Sequence, residues 1–275
     1  MPDQKAPAEF QKRLPSVIAI VAIRNGVYYL PRLCQHAREN GYQLAIIDND
    51  SEDNLLEITE LNKDVIAYVE NLPYYGCFDL LAQLEAKAVL TKKVNADWVI
   101  HLDVDELLYS NVEGETLQQA FFRVQTEGHN AVNFDEFVFL PLERFKRYDS
   151  DNYHQMCWYY FFEPRPVRLV RAFKAELQIK PQSGGHNVQG EAKIYPTNFV
   201  MRHFMFENRS HVKKKYLTRT YSDSDIKSKF HGNRLVIRGQ KLSLPSRSRL
   251  HKASLDDWLL DKTNPQTKHF WQWDN

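Results

Sequence analysis

The chain has 275 residues, of which 43% are hydrophobic and 26% charged, so it can bury the core of one large domain or two small ones. Its 36 lysines and arginines balance 35 aspartates and glutamates, which gives a formal net charge of +1. Dedicated nucleic-acid-binding proteins usually carry a marked basic excess, so we predict no nucleic-acid partner. The composition also excludes wholesale disorder and collagen-like sequence.

Cysteine usage and hydropathy are typical of a protein of the reducing cytoplasm. Cys34, Cys77 and Cys157 form no CxxC pair, which excludes a zinc ribbon and argues against a disulfide framework. The N-terminus is polar, without the apolar stretch of a signal peptide. The longest apolar run, Val17 to Ile23, is too short to cross a bilayer. We therefore expect a soluble, cytoplasmic protein with no transmembrane segment, whose only membrane contact would be a peripheral one.

Strand and helix patterns alternate through the first hundred residues. Runs of apolar, β-branched residues predict buried strands, and apolar residues spaced by three and four predict helices. In chain order we predict strand 17–23, a helix from 30 to the stop at 40–41, strand 42–47, helix 55–61, strand 65–69, helix 78–89 and strand 98–102. This alternation is typical of an α/β fold with a mostly parallel central sheet flanked by helices.

The second half of the sequence is less regular. We predict a helix at 117–124, strands at 131–140, 167–173 and 198–206, and a basic helix at 211–221, with Lys213 to Lys215 on a solvated face. The last residues, 241–275, contain three tryptophans and two prolines and predict an irregular, aromatic-rich C-terminal extension packed on the core. Residues 1–15 are expected to form a flexible lead.

Polar side chains follow three of the predicted strands at the point where each strand ends. Arg24 and Asn25 follow the first strand, residues 48–51 the second, and residues 103–106 the fourth. In open parallel sheets, ligands bind outside the carboxyl ends of the strands. We therefore expect these three clusters to share one site.

The sharpest motif is HLDVDELL, residues 101–108. Asp103 and Asp105, just past a buried strand, can both reach one hard cation if the chain turns there, and Mg²⁺ or Mn²⁺ prefers such oxygen ligands together with phosphate oxygens. The alternative is that the two carboxylates cap a following helix. The chain contains neither GxxxxGK[ST] nor GxGxxG, so a metal and cationic side chains would have to neutralise bound phosphates.

Three segments resemble a known enzyme family: IVAIRNGVYYLPRLCQHARENGY, IIDNDSEDN and DWVIHLDVDELL. They are similar to family 2 type glycosyltransferases of the GT-A fold, above all a bacterial subgroup with an LDVDE-type DxD motif and a later HGNR stretch. The resemblance covers about residues 16–240. It implies a GT-A-like (Rossmann-like) sheet and metal-dependent, inverting transfer from a nucleotide diphospho-sugar, with a UDP-sugar favoured, to a hydroxyl of a saccharide or glycan acceptor in polysaccharide biosynthesis.

The resemblance also assigns donor and metal contacts to residues at the strand ends. It implies that turns after the first and second strands hold the nucleoside and that the DxD motif binds Mn²⁺ or Mg²⁺. The residues concerned are Arg24 and Asn25 near the base, Asp48 and Asp50 near uracil or ribose, Asp103 near the ribose and the metal, and Asp105 on the metal. The sequence has DNDSEDN where DDGSxD is commoner, which leaves open whether Asp48 or Asp50 binds.

Histidines and cations of the second half complete the implied site. A late histidine often completes the metal shell in GT-A enzymes, and His186 and His203 compete for this role; the glycines beside His186 favour it slightly. His203 is otherwise expected at the donor. The stretch FHGNR contains His231 and Arg234, resembles the HGNR of the subgroup, and is expected against the diphosphate.

An inverting transfer needs a carboxylate that deprotonates the acceptor hydroxyl. Alternation along strand 131–140 puts Glu136 on an otherwise apolar face, so Glu136 is the first choice, with Asp135 beside it and Glu163 in reserve. The alternative is that Glu136 pairs with an arginine such as Arg144. The residues alone favour neither interpretation.

The predicted organisation is a GT-A glycosyltransferase domain at 16–240, with a nucleotide-binding half at 16–110 and an acceptor half at 111–240. Two other functions are compatible with the acidic motif. A nucleotidyltransferase would use the same metal site, but it usually carries a Gly-rich basic loop near the first strand, and RNGVYY is not one. A non-catalytic nucleotide- or sugar-binding relative would retain function without Asp103 and Asp105.

Overall fold

The computed structural model describes residues 13–143, 147–181, 184–230, 242–254 and 257–273. The helices are α1 Leu30–Asn40, α2 Leu55–Leu61, α3 Leu80–Lys93, α4 Leu117–Thr126, α5 Arg209–Leu217 and α6 Asp223–Lys227. The strands are β1 Val17–Ile23, β2 Gln43–Asp48, β3 Ile66–Asn71, β4 Trp98–Leu102, β5 Glu106–Tyr109, β6 Ala131–Leu140, β7 Trp158–Phe162, β8 Val170–Lys174, β9 Gln178–Ile179, β10 Val188–Gln189, β11 Phe199–His203 and β12 His251–Lys252.

One large sheet runs through the molecule in the order β12-β7-β6-β8-β4-β1-β2-β3. Its β4-β1-β2-β3 part is parallel throughout. Strand β8 is antiparallel to both β4 and β6, while β11 lies parallel to β6 and antiparallel to β5. The predicted α/β fold with a mostly parallel central sheet flanked by helices is confirmed, and the strands beyond β4 make the sheet a mixed one.

Strand β1 shows why this sheet needs helices on both of its faces. Its apolar run has no polar side, and alternate side chains point to opposite faces. Ala19 and Val21 belong to the apolar cluster that contains residues of α1 and α4. Ile18 and Ile20 belong to a second cluster, which contains residues of α3. Helices therefore cover both faces of the parallel strands.

Local capping chemistry sets the ends of the helices. Helix α1 ends at Gly41, whose φ of 71° is the left-handed conformation that glycine adopts without steric cost. Helix α3 begins two residues after the predicted start because Asp79 accepts a hydrogen bond from the amide of Ala82. Helix α5 begins two residues before its predicted start, since the Asn208 side chain accepts the amides of Ser210 and His211.

The described C-terminal residues, 242–254 and 257–273, are mostly irregular, as the sequence predicted, and several of their aromatic rings lie in or against an apolar cluster. Phe270 is buried in a third apolar cluster that also contains Tyr160 and Tyr216, and Trp271 and Trp273 pack against this cluster. Over the described ranges, no helix is both long and apolar enough to cross a membrane.

Candidate active site

A cleft of about 1080 Å³ opens at the carboxyl ends of β1 and β4. Most of the residues that the sequence predicted for the site line this cleft: Arg24, Asn25, Asp103, Asp105, Glu136, His186 and His203. Asp48, Asp50 and Asp135 are not among its described lining residues. His231 and Arg234, predicted at the diphosphate, lie outside the described residues.

The polar turns after β1 and β2 meet, as expected for neighbouring parallel strands. An Arg24 guanidinium nitrogen donates to the carbonyl of Asn49 at 2.9 Å. The Asn25 amide donates to the hydroxyl of Ser51 at 3.0 Å, and the Asn25 side-chain oxygen accepts the amide of Glu52 at 2.8 Å. Asn25 has a φ of 54°, a left-handed conformation that asparagine tolerates better than most residues. The two turns therefore form one braced unit.

Asp48 and Asp50 brace the second turn. Asp48 accepts the amide of Ser51 at 2.9 Å, and Asp50 accepts the amide of Tyr74 at 2.7 Å. This places Tyr74 under Arg24, whose guanidinium carbon lies 3.5 Å from the centre of the tyrosine ring. Tyr74 and Arg24 both line the cleft, so this stack is a planar surface at its edge. Tyr74 was not predicted from the sequence, although its position after a predicted strand was a usable signal.

The DxD segment forms a tight turn between two strands. The amide of Glu106 donates to the carbonyl of Asp103 at 3.1 Å, and the Glu106 carboxylate accepts the amide of Asp103 at 3.0 Å. The next element is strand β5, which the sequence did not predict, and not a helix. The helix-capping alternative for Asp103 and Asp105 therefore does not apply. The turn leaves both carboxylates on the cleft.

Two buried cations, Lys87 and Arg171, form ion pairs with Asp103. The Lys87 ammonium lies 3.1 Å from one carboxylate oxygen, and the Arg171 guanidinium lies 3.4 Å from the other. Arg171 also contacts Glu106 at 2.7 Å. Partial burial opposes ionisation of Asp103, but Lys87 and Arg171 outweigh it and hold its pKa well below the usual range. Asp103 is thus a fixed anion. Neither cation was predicted for the site, because nothing in the sequence marks Lys87 or Arg171 as the partner of a distant carboxylate.

Asp105 is held from the opposite side by α5 and β11. The Lys215 ammonium lies 3.1 Å from Oδ2 of Asp105, and Nε2 of His203 lies 3.6 Å from Oδ1. Burial would raise the pKa of Asp105, but the Lys215 ammonium leads the opposing influences, which lower it below the ordinary value. The solvated position expected for Lys213 to Lys215 is therefore wrong for Lys215. It holds for Lys213 and Lys214, which are exposed.

Glu136 and Asp135 face opposite sides of β6, as the alternation predicted. Glu136 is an ion-pair partner of Arg168, and its Oε1 lies 2.6 Å from Nδ1 of His203. Asp135 contacts Asn198 at 2.7 Å and Lys262 at 2.5 Å, away from the cleft. Arg144, the arginine suggested for Glu136, lies outside the described residues.

His186 reaches the cleft through a glycine turn. A side chain at Gly185, whose φ is 73°, would come within 2.5 Å of His101, so only glycine fits there. Within the described residues, Nδ1 of His186 is buried without a hydrogen-bond partner. Burial, reinforced by Arg171, lowers the pKa of His186 to about 3, so the ring is neutral at physiological pH. Among the described residues, His203 and not His186 is the histidine with a ring nitrogen close to a DxD carboxylate, at 3.6 Å from Oδ1 of Asp105.

The donor set of the cleft fits a hard divalent cation. Among the described residues, no three His, Cys, Asp or Glu side chains form a metal-binding cluster. Mg²⁺ and its relatives, however, are commonly held by one or two carboxylates together with water and substrate phosphate. The 3.6 Å between Nε2 of His203 and Oδ1 of Asp105 is too long for a hydrogen bond. Asp105 and His203 are therefore the two side chains that would hold the ion, together with water and substrate phosphate.

Glu207 is a further carboxylate of the cleft that the sequence analysis missed. It lies between β11 and α5, lines the cleft, and is 3.5 Å from Nδ1 of His211. Burial raises the pKa of Glu207 above the ordinary glutamate value, although Lys214 and Lys215 oppose the shift. A cleft carboxylate with a raised pKa is a candidate general base if it lies within hydrogen-bond reach of the proton that it takes.

Known structures with some likeness to this chain include several at 11–12% identity. No protein-family model matches the chain, and no curated protein matches it. A structure of residues 1–349 of S. aureus TarS aligns with a TM-score of 0.47 and 11% identity over 83% of this chain and 76% of that one. The same protein in complex with UDP aligns with a TM-score of 0.47 over 70% and 61%. The chain spans only 37% of the length of a longer TarS structure.

A mannosyltransferase from Pyrobaculum calidifontis, in complex with GDP-Man and Mn²⁺, aligns with a TM-score of 0.41 and 12% identity over 81% of this chain and 71% of that one. GalNAc-T7, with UDP, GalNAc and Mn²⁺, aligns with a TM-score of 0.36 over 70% and 43%.

Proposed function

We propose that the chain is a metal-dependent glycosyltransferase that moves a sugar from a nucleotide diphospho-sugar to a hydroxyl of a saccharide or glycan. One observation carries the proposal: the two ionised carboxylates of the DxD turn line one cleft together with Arg171, Lys215 and His203. Lys87 also contacts Asp103, and the Arg24–Tyr74 pair lines the same cleft. The proposed organisation has its donor half at 16–110 and its acceptor half at 111–240, with action in the cytoplasm on a polysaccharide.

The donor would lie along the strand ends. Arg24 and Asn25 would contact the base, and the Arg24–Tyr74 stack offers it a planar partner at the edge of the cleft. Asp48 and Asp50 support this turn through their backbone contacts. A UDP-sugar is the favoured donor. His231 and Arg234 remain proposed partners of the diphosphate.

The diphosphate needs positive charge in a cleft that has no glycine-rich phosphate loop. Lys215 lies 3.1 Å from Asp105, and both line the cleft, so an anion at the DxD turn would be within reach of this ammonium group. Mn²⁺ or Mg²⁺, held by Asp105 and His203 with Asp103 of the same turn as a further ligand, would act as a Lewis acid that stabilises the departing nucleoside diphosphate. His186, neutral and in the same cleft, is the second candidate ligand.

The base of an inverting transfer is a separate proposal. Glu136 lines the cleft, but its two oxygens already contact Arg168 and His203. Asp135 contacts Lys262 outside the cleft, and Glu163 is the reserve. Glu207 joins these candidates because it combines a place in the cleft with a raised pKa.

Ligand-induced stabilisation tests the proposal directly. Thermal unfolding would be measured with UDP, GDP, CDP or ADP, each with Mn²⁺ or with EDTA, because a ligand of the native state raises the melting temperature by mass action. We expect one nucleoside diphosphate, with UDP favoured, to stabilise the chain in the presence of Mn²⁺ and to lose most of this effect in EDTA.

The same protein would then be incubated with the matching nucleotide-sugar and mixed glycan acceptors. Release of the nucleoside diphosphate with sugar attached to the acceptor supports a glycosyltransferase. Release of pyrophosphate from a nucleoside triphosphate would instead identify a nucleotidyltransferase. Metal-dependent binding without turnover would identify a non-catalytic binding protein.

A further inference from the structure

His203 contacts two different carboxylates through its two ring nitrogens. Nδ1 lies 2.6 Å from Oε1 of Glu136, and Nε2 lies 3.6 Å from Oδ1 of Asp105. The first distance is that of a short, charge-assisted hydrogen bond, and the second is too long for a hydrogen bond. The Glu136 carboxylate can only accept, so the proton of this bond lies on Nδ1. The lone pair of neutral His203 is then on Nε2, which faces Asp105.

This pairing follows from strand register. Strand β11 lies between β5 and β6, so His203 has Glu106 of the DxD turn on one side. On its other side, β6 places Glu136 opposite Met201. The side chains of Glu136 and His203 thus project from neighbouring strands toward the same cleft. Both residues belong to strands of the sheet, Glu136 to the ten-residue β6 and His203 to the five-residue β11, so the contact does not depend on a loop.

Glu136 is itself held in place by Arg168. The two side chains form an ion pair, and the Glu136 side chain is only 5% exposed. The Arg168 guanidinium carbon lies 4.8 Å from the centre of the Phe162 ring. The backbone of Arg168 is also held in place, because the Asn133 side chain accepts hydrogen bonds from the amides of Arg168 and Leu169 at 3.1 and 2.8 Å. With both oxygens engaged, Glu136 is better placed to orient a neighbour than to accept a proton from a substrate.

We propose that Glu136, clamped by Arg168, is a positioning residue that keeps the proton of His203 on Nδ1 and presents Nε2 to a metal ion shared with Asp105. This proposal rests on the proposed metal-dependent function and replaces the role of base for Glu136. A carboxylate behind a metal-binding histidine fixes its tautomer and raises its basicity, and losing such a partner typically lowers metal affinity 10- to 100-fold.

The two roles predict different effects of Glu136→Gln. If Glu136 orients His203, the variant needs about 10 to 100 times more Mn²⁺ for half-maximal binding, and turnover largely recovers at saturating metal. If Glu136 is the base, Mn²⁺ affinity stays as in the parent chain, and turnover falls roughly 10²- to 10⁴-fold at every metal concentration. Arg168→Gln should lower Mn²⁺ affinity as Glu136→Gln does, since it removes the ion pair that holds Glu136 in place.

Mn²⁺ binding would be measured by electron paramagnetic resonance, with UDP present, on the parent chain and on Glu136→Gln and Arg168→Gln. Glu115→Gln is the matched control: Glu115 also forms an ion pair with an arginine, Arg123 at 2.8 Å, but it does not line the cleft. We expect weaker Mn²⁺ binding in the first two variants and unchanged binding in the control. Unchanged Mn²⁺ affinity in Glu136→Gln would overturn the proposal.

A second measurement needs no metal. In the metal-free parent chain, ¹⁵N spectra of labelled histidine, recorded about two pH units above the ordinary histidine pKa, should show His203 protonated at Nδ1. His203→Gln assigns the signal. Glu136→Ala should move the proton toward Nε2, and a proton that is on Nε2 in the parent chain would overturn the proposal. If the parent chain binds no Mn²⁺, the proposed function fails while these spectra still decide the role of Glu136.

Discussion

Lys215 of α5 lies 3.1 Å from the carboxylate of Asp105, a residue 110 positions earlier in the chain. The contact joins the basic helix of the second half to the DxD turn at the end of β4. Lys213 and Lys214, the two lysines that precede it, are exposed, whereas Lys215 is partly buried. Because both residues line the cleft, the Lys215 ammonium can neutralise charge on a bound diphosphate as well as on Asp105.

Replacing Lys215 should therefore weaken diphosphate binding. We expect Lys215→Gln to raise the dissociation constant of UDP about 10- to 100-fold, because a hydrogen bond to a charged group contributes about 1.5–3 kcal/mol. Calorimetric titration in the presence of Mn²⁺ measures this change. Lys213→Gln is the matched control, since Lys213 is exposed on the same helix, and its UDP affinity should stay within a few-fold of the parent. Equal losses in both variants would contradict the assignment.

Asp105→Asn should remove metal-dependent activity while the fold is retained. The amide keeps the shape of the side chain but loses the charge that would hold the ion. Lewis-acid stabilisation is worth several kcal/mol, so transfer should fall by roughly 10³-fold. Initial rates at saturating donor measure the loss, and circular dichroism checks the fold. Turnover within a few-fold of the parent would show that Asp105 does not bind the ion.

The Arg24–Tyr74 stack should contribute to nucleoside affinity. If the base stacks at this edge, Tyr74→Ala should weaken UDP binding roughly tenfold, because stacking of a base on an aromatic ring contributes about 1–3 kcal/mol. Tyr75→Ala is the matched control, since the neighbouring ring is 86% exposed. Competition with a fluorescent nucleotide compares the two variants. The base lies elsewhere if Tyr74→Ala binds UDP as tightly as Tyr75→Ala does.

His36 should make the stability of the chain depend on pH. This fully buried residue of α1 contacts the carbonyl of Leu108 at 2.7 Å, and burial lowers its pKa from 6.5 to about 4, while the Leu108 contact opposes the shift. The unfolded chain then binds a proton near pH 6.5 that the folded chain does not bind until about pH 4. Above pH 6.5, neutral His36 therefore makes its full contribution to the free energy of unfolding. This contribution is lost as the pH falls from 6.5 to about 4.

Urea unfolding of the parent chain and of His36→Gln across this window measures the effect. The shift corresponds to about 3 kcal/mol, at 1.36 kcal/mol per pKa unit. Glutamine can still donate to the Leu108 carbonyl but does not titrate, so the variant should lose about one proton from the pH dependence of its free energy of unfolding. Parallel profiles for the two chains would refute the prediction.

Local pattern was sufficient for much of the fold. The unbroken apolar run of β1 predicts burial on both faces, and the spacing of Leu30 and Leu33 with the stop at Gly41 predicts α1. These features depend on side chains within a few residues of one another. Strand β5 was missed because ELLY has four residues and is a strand only through its pairing with β11.

The sequence by itself therefore determined the alternation of strands and helices, the parallel sheet, and the placing of Arg24, Asn25 and the DxD pair at one sheet edge. Tertiary structure alone decided which groups neutralise and orient that pair. Lys87 contacts Asp103 across 16 residues, and His203 contacts Glu136 across 67. Such contacts depend on the register of β5, β11 and β6 and on how α3 and α5 pack. The periodic pattern of a sequence shows which face of an element a charged side chain occupies, but it does not identify a partner far along the chain.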